Sequence, residues 1–209
     1  MTLRRDLELI ADWIRPGSHV LDLGCGDGTL MAHLAATKGT TGYGLEIDPD
    51  NIARCIARGV DVIQTDLDRG LSEFESNGFD YVVMTQSLQA LHFPDRILEE
   101  MLRIGREAVT SFPNMGHWKC RLQLAFSGHM PYTRALPHHW YDTPNIHLCT
   151  VHDFERLCAE RGYRVLDRAA VDRRHRETPA TRLLPNLFGE SAVYRFRRDS
   201  PAASSRAGA

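Results

Sequence analysis

Residues Val20-Leu21-Asp22-Leu23-Gly24-Cys25-Gly26-Asp27-Gly28 constrain the fold of this chain more than any other stretch. An apolar run ending in a carboxylate and three alternating glycines suits a strand buried on both faces that runs into a tight turn. The glycines permit positive φ and let a ligand come close to the backbone. Thr29 to Ala35 continues as a helix, whose first N–H groups lack intrahelical partners and would face the same ligand. Strand, glycine turn and helix N-terminus together describe a nucleotide-type site.

The spacing narrows the nucleotide. A dinucleotide fingerprint, G-x-G-x-x-G, finds Gly24 and Gly26 in place, but its last glycine is Thr29. The Gly-Lys-Ser/Thr end of a Walker loop is also missing. What stands at Asp22 to Gly28 is D-x-G-x-G-x-G, which resembles the first motif of class I S-adenosylmethionine (SAM)-dependent methyltransferases. SAM carries an amino-acid tail and a sulfonium cation instead of a pyrophosphate, so a carboxylate beside the turn is useful.

With 209 residues, 43% hydrophobic and 25% charged, the chain is long enough for one globular domain, placed at residues 1–198. A formal net charge of −2 without a long basic run gives no reason to expect nucleic acid as a partner. The clusters Arg173-Arg174-His175-Arg176 and Arg195, Arg197, Arg198 read as solvated faces. Nothing approaches the roughly 20 apolar residues that span a bilayer, and Met1 to Ile10 does not read as a secretory signal. No membrane association is expected, and a cytoplasmic location is. Five cysteines without a C-x-x-C pair argue against a disulfide framework or a zinc site.

In chain order, Leu3, Leu7, Ile10 and Ile14 mark a first helix, stopped by Pro16-Gly17 and expected to pack on the sheet near the pocket. A second strand, Tyr43 to Ile47, ends at Glu46, whose two oxygens match the vicinal hydroxyls of a ribose. Asp48 shares that face but reads better as a helix N-cap before Pro49. The helix from Asp50 to Arg58 is expected to turn Ile52, Ala53 and Ile56 inward and to end at Gly59. A third strand, Val60 to Asp66, places Asp66 to accept from an adenine amino group, with Leu67 packing on the ring. An Asp there is also a common turn former, but this one is the third acidic strand end in a row. Phe79 to Met84 is a fourth strand, after which Gln86 either reaches the ligand or caps a helix. An amphipathic helix over Asp95–Arg106 and a fifth strand, Ala108 to Phe112, follow. Three consecutive β–α–β steps favour a parallel sheet with right-handed crossovers.

Residues 112–150 are unusual. Six of the ten histidines (His117, His129, His138, His139, His147, His152) fall in or beside this segment with Trp118, Tyr132, Trp140 and Tyr141. So aromatic a stretch at a substrate edge suggests a lid or a partner-contact surface. Its spacing lacks H-x-x-x-H and H-E-x-x-H, so no metal is expected. Thr150 with Asp153 starts another helix, ended by Gly162. Tyr163–Arg168 and Ala192–Arg197 form a last strand pair, separated by a surface loop over Arg173–Pro185. Residues 199–209 have the composition of a disordered tail.

Asp22, Gly24, Gly26, Glu46 and Asp66, in that order, resemble a class I SAM-dependent methyltransferase over residues 18–115. A narrower likeness covers the second half. Ser111-Phe112-Pro113-Asn114-x-Gly116-His117-Trp118, Arg121-Leu122-Gln123-Leu124 and Trp140-Tyr141-Asp142-Thr143-Pro144-Asn145-Ile146-His147-Leu148-Cys149-Thr150 closely resemble the MetW methionine-biosynthesis protein family. The resemblance implies an α/β fold: a seven-stranded, mostly parallel sheet with helices on both faces and one antiparallel C-terminal strand. It implies SAM or S-adenosylhomocysteine (SAH) as cofactor, held by Asp22, Gly24, Cys25, Gly26, Glu46, Ile47, Asp66, Leu67 and Gln86. It further implies a role in methionine biosynthesis with a homoserine O-acyltransferase as partner, and a homo-oligomer is compatible with it. The alternative is a stand-alone methyltransferase acting on a small molecule. His117, His147 and His92 titrate in a range suited to a base, but no catalytic residue is assigned.

Overall fold

The computed structural model describes residues 3–172 and 176–199, so Arg173 to His175 and the tail from Ser200 lie outside the described residues. Seven strands form one sheet: β1 (His19–Leu23), β2 (Thr41–Glu46), β3 (Val62–Gln64), β4 (Phe79–Thr85), β5 (Gly105–Pro113), β6 (Tyr163–Val171) and β7 (Ser191–Arg198). Their order is β3-β2-β1-β4-β5-β7-β6, and β7 runs antiparallel to both of its neighbours while the other pairings are parallel. The architecture expected from the sequence is the one observed.

Alternation along the strands feeds two cores. On one face Leu21, Leu23, Val82, Met84 and Phe112 pack under α4 (Pro94–Ile104) and α6 (Val151–Glu160). On the other, Val20, Tyr81, Val83 and Val109 pack under α1 (Arg5–Trp13) and α2 (Thr29–Lys38). Burial on both sides is why these strands read as nearly continuous apolar runs. Lys38 Nζ reaches back to the carbonyls of Ala11 (2.5 Å) and Ile14 (2.7 Å), satisfying acceptors at the end of α1. That contact ties α1 to α2 and the sheet; none of the cavity described below is lined by α1.

Local chemistry explains most boundaries. Asp48 caps α3 (Pro49–Ala57) by accepting from Asp50 N at 2.8 Å, with Pro49 at the first helical position. Thr150 and Asp153 form a reciprocal capping box at α6. The third strand, expected over Val60 to Asp66, is Val62–Gln64, so Asp66 lies two residues past its end, and three further expectations change. In α3 the residue that faces inward is Cys55, whereas Ala53 and Ile56 are exposed, because this edge helix turns Cys55 onto the glycine turn, beside Gly28 and 3.2 Å from Gly26 O. The helix expected to reach Arg106 ends at Ile104, and Gly105 already belongs to β5, where a Cβ would lie 2.6 Å from Val82 Cγ2. The loop expected between the last two strands contains α7 (Pro179–Leu183) and α8 (Pro185–Phe188). Thr178 before Pro179 is an N-cap signal that reveals the first of these. Asp199 still donates its N–H to Gly162 O at 3.1 Å. Among the described residues no helix is long and apolar enough to cross a membrane, and no cluster of three potential metal ligands occurs.

Candidate cofactor site

The C-terminal ends of β1, β2 and β4 converge on a cavity of about 300 Å³. Parallel sheets of this kind bind ligands at that edge. Gly24, Glu46, Ile47, Asp66 and Leu67 line it, so five of the nine residues expected from the sequence meet there. Thr65, after β3, and Ser87 and Leu91, both after β4, also line it and were missed by the sequence reading, since they arrive on connections without local signal.

The turn after β1 is held open by its glycines and pinned by carboxylates. Gly24, Gly26 and Gly28 all have positive φ (68°, 57° and 74°), and a Cβ on Gly24 would sit 2.8 Å from Ser87 Oγ. Glu46 Oε2 accepts from Gly26 N at 2.8 Å, and Oε1 accepts from Ile47 N (2.8 Å) and Asp48 N (3.0 Å). Asp27 Oδ1 accepts from Thr29 N (3.1 Å) and Thr29 Oγ1 (2.6 Å), while its other oxygen pairs with Arg58 at 2.8 Å. The expectation that the first N–H of α2 faces a ligand is therefore corrected: Asp27 already holds it. A phosphate would need the donors that Glu46 and Asp27 occupy, which disfavours a dinucleotide. Glu46 keeps acceptor capacity on Oε2 at the cavity wall.

Behind the turn lies Asp22, 1% exposed. Its Oδ1 finds no hydrogen-bond partner among the described residues. Burial, reinforced by the neighbouring Glu46 charge, pushes its pKa up to about 7. A buried carboxyl without a partner is costly unless a donor or cation arrives, and SAM supplies both an ammonium and a sulfonium. Asp22 stands behind Gly24 and not in the lining, and its orphaned carboxyl, together with Glu46 Oε2 and Leu67 at the cavity wall, fits SAM.

Of the other expected residues, Cys25, Gly26 and Gln86 lie outside the lining, and Asp66 lies within it. Cys25 turns its side chain away from the cavity, 3.7 Å from Cys55 Sγ, and burial raises its thiol out of reach of ionisation. Asp66 combines both readings given for it: it lines the cavity, and its Oδ1 also caps the following 3₁₀ turn by accepting from Asp68 N at 3.1 Å. Gln86 is a non-glycine residue at φ 60°, and its N–H donates to Ser111 O at 3.0 Å. It kinks the chain so that Ser87 and Leu91 reach the cavity, and is not itself in the lining.

The three histidines separate clearly. His117 is 5% exposed and caps α5 (Trp118–Ser127) by accepting from Lys119 N; burial and Lys119 lower its pKa to about 4. His92 pairs with Asp68 at the cavity rim, accepting no role in the core: its Nδ1 lies 2.8 Å from Asp68 Oδ2 and its N–H donates to Oδ1 at 2.9 Å. His147 donates its N–H to Gln89 O (3.0 Å), and its ring Nε2 lies 3.1 Å from His92 O.

Solved structures share this fold. A SAM-dependent methyltransferase from Archaeoglobus fulgidus superposes with TM-score 0.68 at 14% identity, covering 93% of this chain and 92% of that one. One from Mesorhizobium loti gives 0.66 at 18% identity, covering 91% and 96%. The fold is that of the class I SAM-dependent methyltransferases. A family model described as "Methionine biosynthesis protein MetW" matches residues 4–196, and the chain belongs to that family. The "Bifunctional methionine biosynthesis protein MetXA/MetW" of Rhodopirellula baltica is 35% identical over 212 residues. That match covers 96% of this chain but 34% of the relative, so the chain spans about a third of that protein's length.

Proposed function

We propose that this chain binds SAM or SAH and serves a homoserine O-acyltransferase of methionine biosynthesis as an accessory, regulatory subunit. The observation that carries the reading is the relative whose name joins MetXA and MetW in one polypeptide, of which this chain matches about a third. We take the MetXA part to be the acyltransferase that the family resemblance implies. Covalent joining of two activities fits proteins that work in contact. Support for the cofactor comes from Asp22 and from a glycine turn whose donors are held by carboxylates. Asp22 balances positive charge, Glu46 offers Oε2 to ribose hydroxyls, and Leu67 forms an apolar wall for adenine. SAM would bring its activated methyl group; the chain's own residues bind and orient it. As an end product of the pathway, it could shift the equilibrium of a protein that contacts the acyltransferase.

The Asp68–His92 pair favours a second reading, a methyltransferase on a small molecule, because the carboxylate orients an imidazole as a base at the cavity rim. One experiment separates the two. The acyltransferase rate is measured with and without this chain and SAM, alongside methyl release from SAM by the chain alone. A changed acyltransferase rate without methyl release supports the subunit; methyl transfer with an unchanged rate replaces it by the enzyme. Calorimetry with SAM, SAH and NAD checks the cofactor, and heat with NAD alone would remove it.

A further inference from the structure

Helix α5 is at odds with the rest of the fold. A helix is stabilised mainly by burying an apolar face, yet Cys120 is its one buried residue. Leu122, Leu124 and Phe126 stand 45%, 48% and 85% exposed. The chain that follows continues the same surface: Tyr132 N donates to Gln123 Oε1 of α5 at 3.0 Å. From there the rings run Tyr132 to His139 (5.1 Å), His139 to Tyr141 (5.4 Å, stacked) and Tyr141 to Trp140 (5.6 Å, edge-on). Trp140 and Tyr141 are 74% and 69% exposed. Between 121 and 149 the charged side chains are Arg121, Arg134 and Asp142. An exposed surface that carries Trp and Tyr and is poor in Lys and Glu has the composition of an interface core.

The same segment is fastened to the cofactor cavity. Gln89 Nε2 donates to Pro113 O (2.9 Å) and to Cys149 Sγ (3.2 Å), and His147 bonds to the carbonyls of Gln89 and His92. Gln89 lies between Ser87 and Leu91, which form the cavity wall. Ligand contacts at that wall and a partner on the aromatic face therefore bear on one piece of backbone.

We infer that the face formed by α5 and residues 128–149 is the docking surface for the acyltransferase, coupled to the cofactor cavity through Gln89 and His147. This rests on the partner reading above. In the fused relative the two parts share a polypeptide, so a surface between them can remain apolar, and the low charge of this face suits a lasting contact better than a transient one.

The test titrates the acyltransferase of the same organism with the full chain and with a Trp140→Ala/Tyr141→Ala double variant, in the presence and absence of SAH. The double variant should bind the acyltransferase at least about tenfold more weakly and SAH equally well. Equal acyltransferase affinity overturns the surface but leaves the partner reading intact. Absence of any complex with the unaltered chain overturns both. A weaker SAH affinity in the isolated double variant identifies the segment as a lid instead, and loss of self-association assigns the face to a second copy; either outcome overturns the inference. For the coupling, SAH should change acyltransferase affinity by the same factor as the acyltransferase changes SAH affinity, and His147→Ala should bring that factor towards one. A factor that His147→Ala leaves unchanged removes the proposed route.

Discussion

Residues 19–46 and 121–149 are almost equal in length and opposite in character. In the first, Ala35, Ala36, Thr37, Gly39 and Thr41 are the exposed residues; in the second, Pro131 and Leu136 are the buried ones. The first stretch places its polar groups against its own backbone, as Glu46 and Asp27 do with the glycine turn. The second leaves large rings facing water. One region is complete in itself and the other is built like half of a contact. Substitutions in the first should therefore be felt as stability or cofactor affinity, and substitutions in the second as affinity for something else.

The largest effect is expected at Gly42. It sits in β2 opposite Val20 at φ 125°, and a Cβ there would lie 1.8 Å from Val20 O. Backbone cannot yield as a side-chain tip can, so Gly42→Val should cost more than ~4 kcal/mol, read as loss of a cooperative urea transition. A normally stable variant would mean that β1 and β2 tolerate more than the close packing of this region implies.

Next comes Asp22. Because its folded pKa lies near 7, above the ordinary 3.8, the folded chain holds a proton that the unfolded chain has released. Stability from this group is complete below the unfolded value and is lost as pH rises through about 7. Between about pH 5 and about pH 8 the loss should be roughly 2–3 kcal/mol, and Asp22→Asn should abolish it. A cation placed beside the carboxylate reverses the preference, so SAM should bind more tightly as pH rises over this range, with proton release visible by calorimetry in buffers of different ionisation enthalpy. PH-independent SAM binding would dissociate Asp22 from the cofactor.

A smaller loss is expected where the open segment rejoins the core. Thr150→Ala removes the hydroxyl that accepts from Asp153 N, and with it half of the capping box of α6. About 1 kcal/mol should be lost in a urea titration. An effect several times larger would show that residues beyond α6 depend on that cap.

The two regions were also unequally legible in the sequence. The strand–glycine–helix unit is specified locally: a continuous apolar run and glycines at positive φ are readable from neighbouring residues, as is the Asp48-Pro49 cap that follows. The same holds for Thr150 and Asp153. What eluded the sequence depends on distant partners. Cys55 rather than Ile56 faces inward because α3 meets the glycine turn, a contact that helical periodicity does not encode. Glu46 could be placed at a strand end, but its grip on Gly26 N follows from the folded turn. Ser87 reaches the cavity through a kink at Gln86, a residue type that seldom takes positive φ. The exposure of 121–149 was suggested by composition, yet only the fold shows that this aromatic chain is fastened to the cavity wall by Gln89 and His147.

The smallest expected stability effect is the sharpest trial of the contrast. Trp140 and Tyr141 are aromatic residues of the kind whose truncation in a core costs about 3–5 kcal/mol. If they contribute only contact surface, Trp140→Ala and Tyr141→Ala should each shift the urea midpoint by no more than ~0.5 kcal/mol in the isolated chain, because their rings are largely hydrated already. The slope of the transition should also stay constant, since little surface changes its exposure on unfolding. A loss of several kcal/mol would place these rings within the protein's own core in solution, closing residues 121–149 onto the sheet. Near-zero change together with weakened acyltransferase binding would show that an apolar surface of this size is stabilised by what it meets, which residues 19–46 do not require.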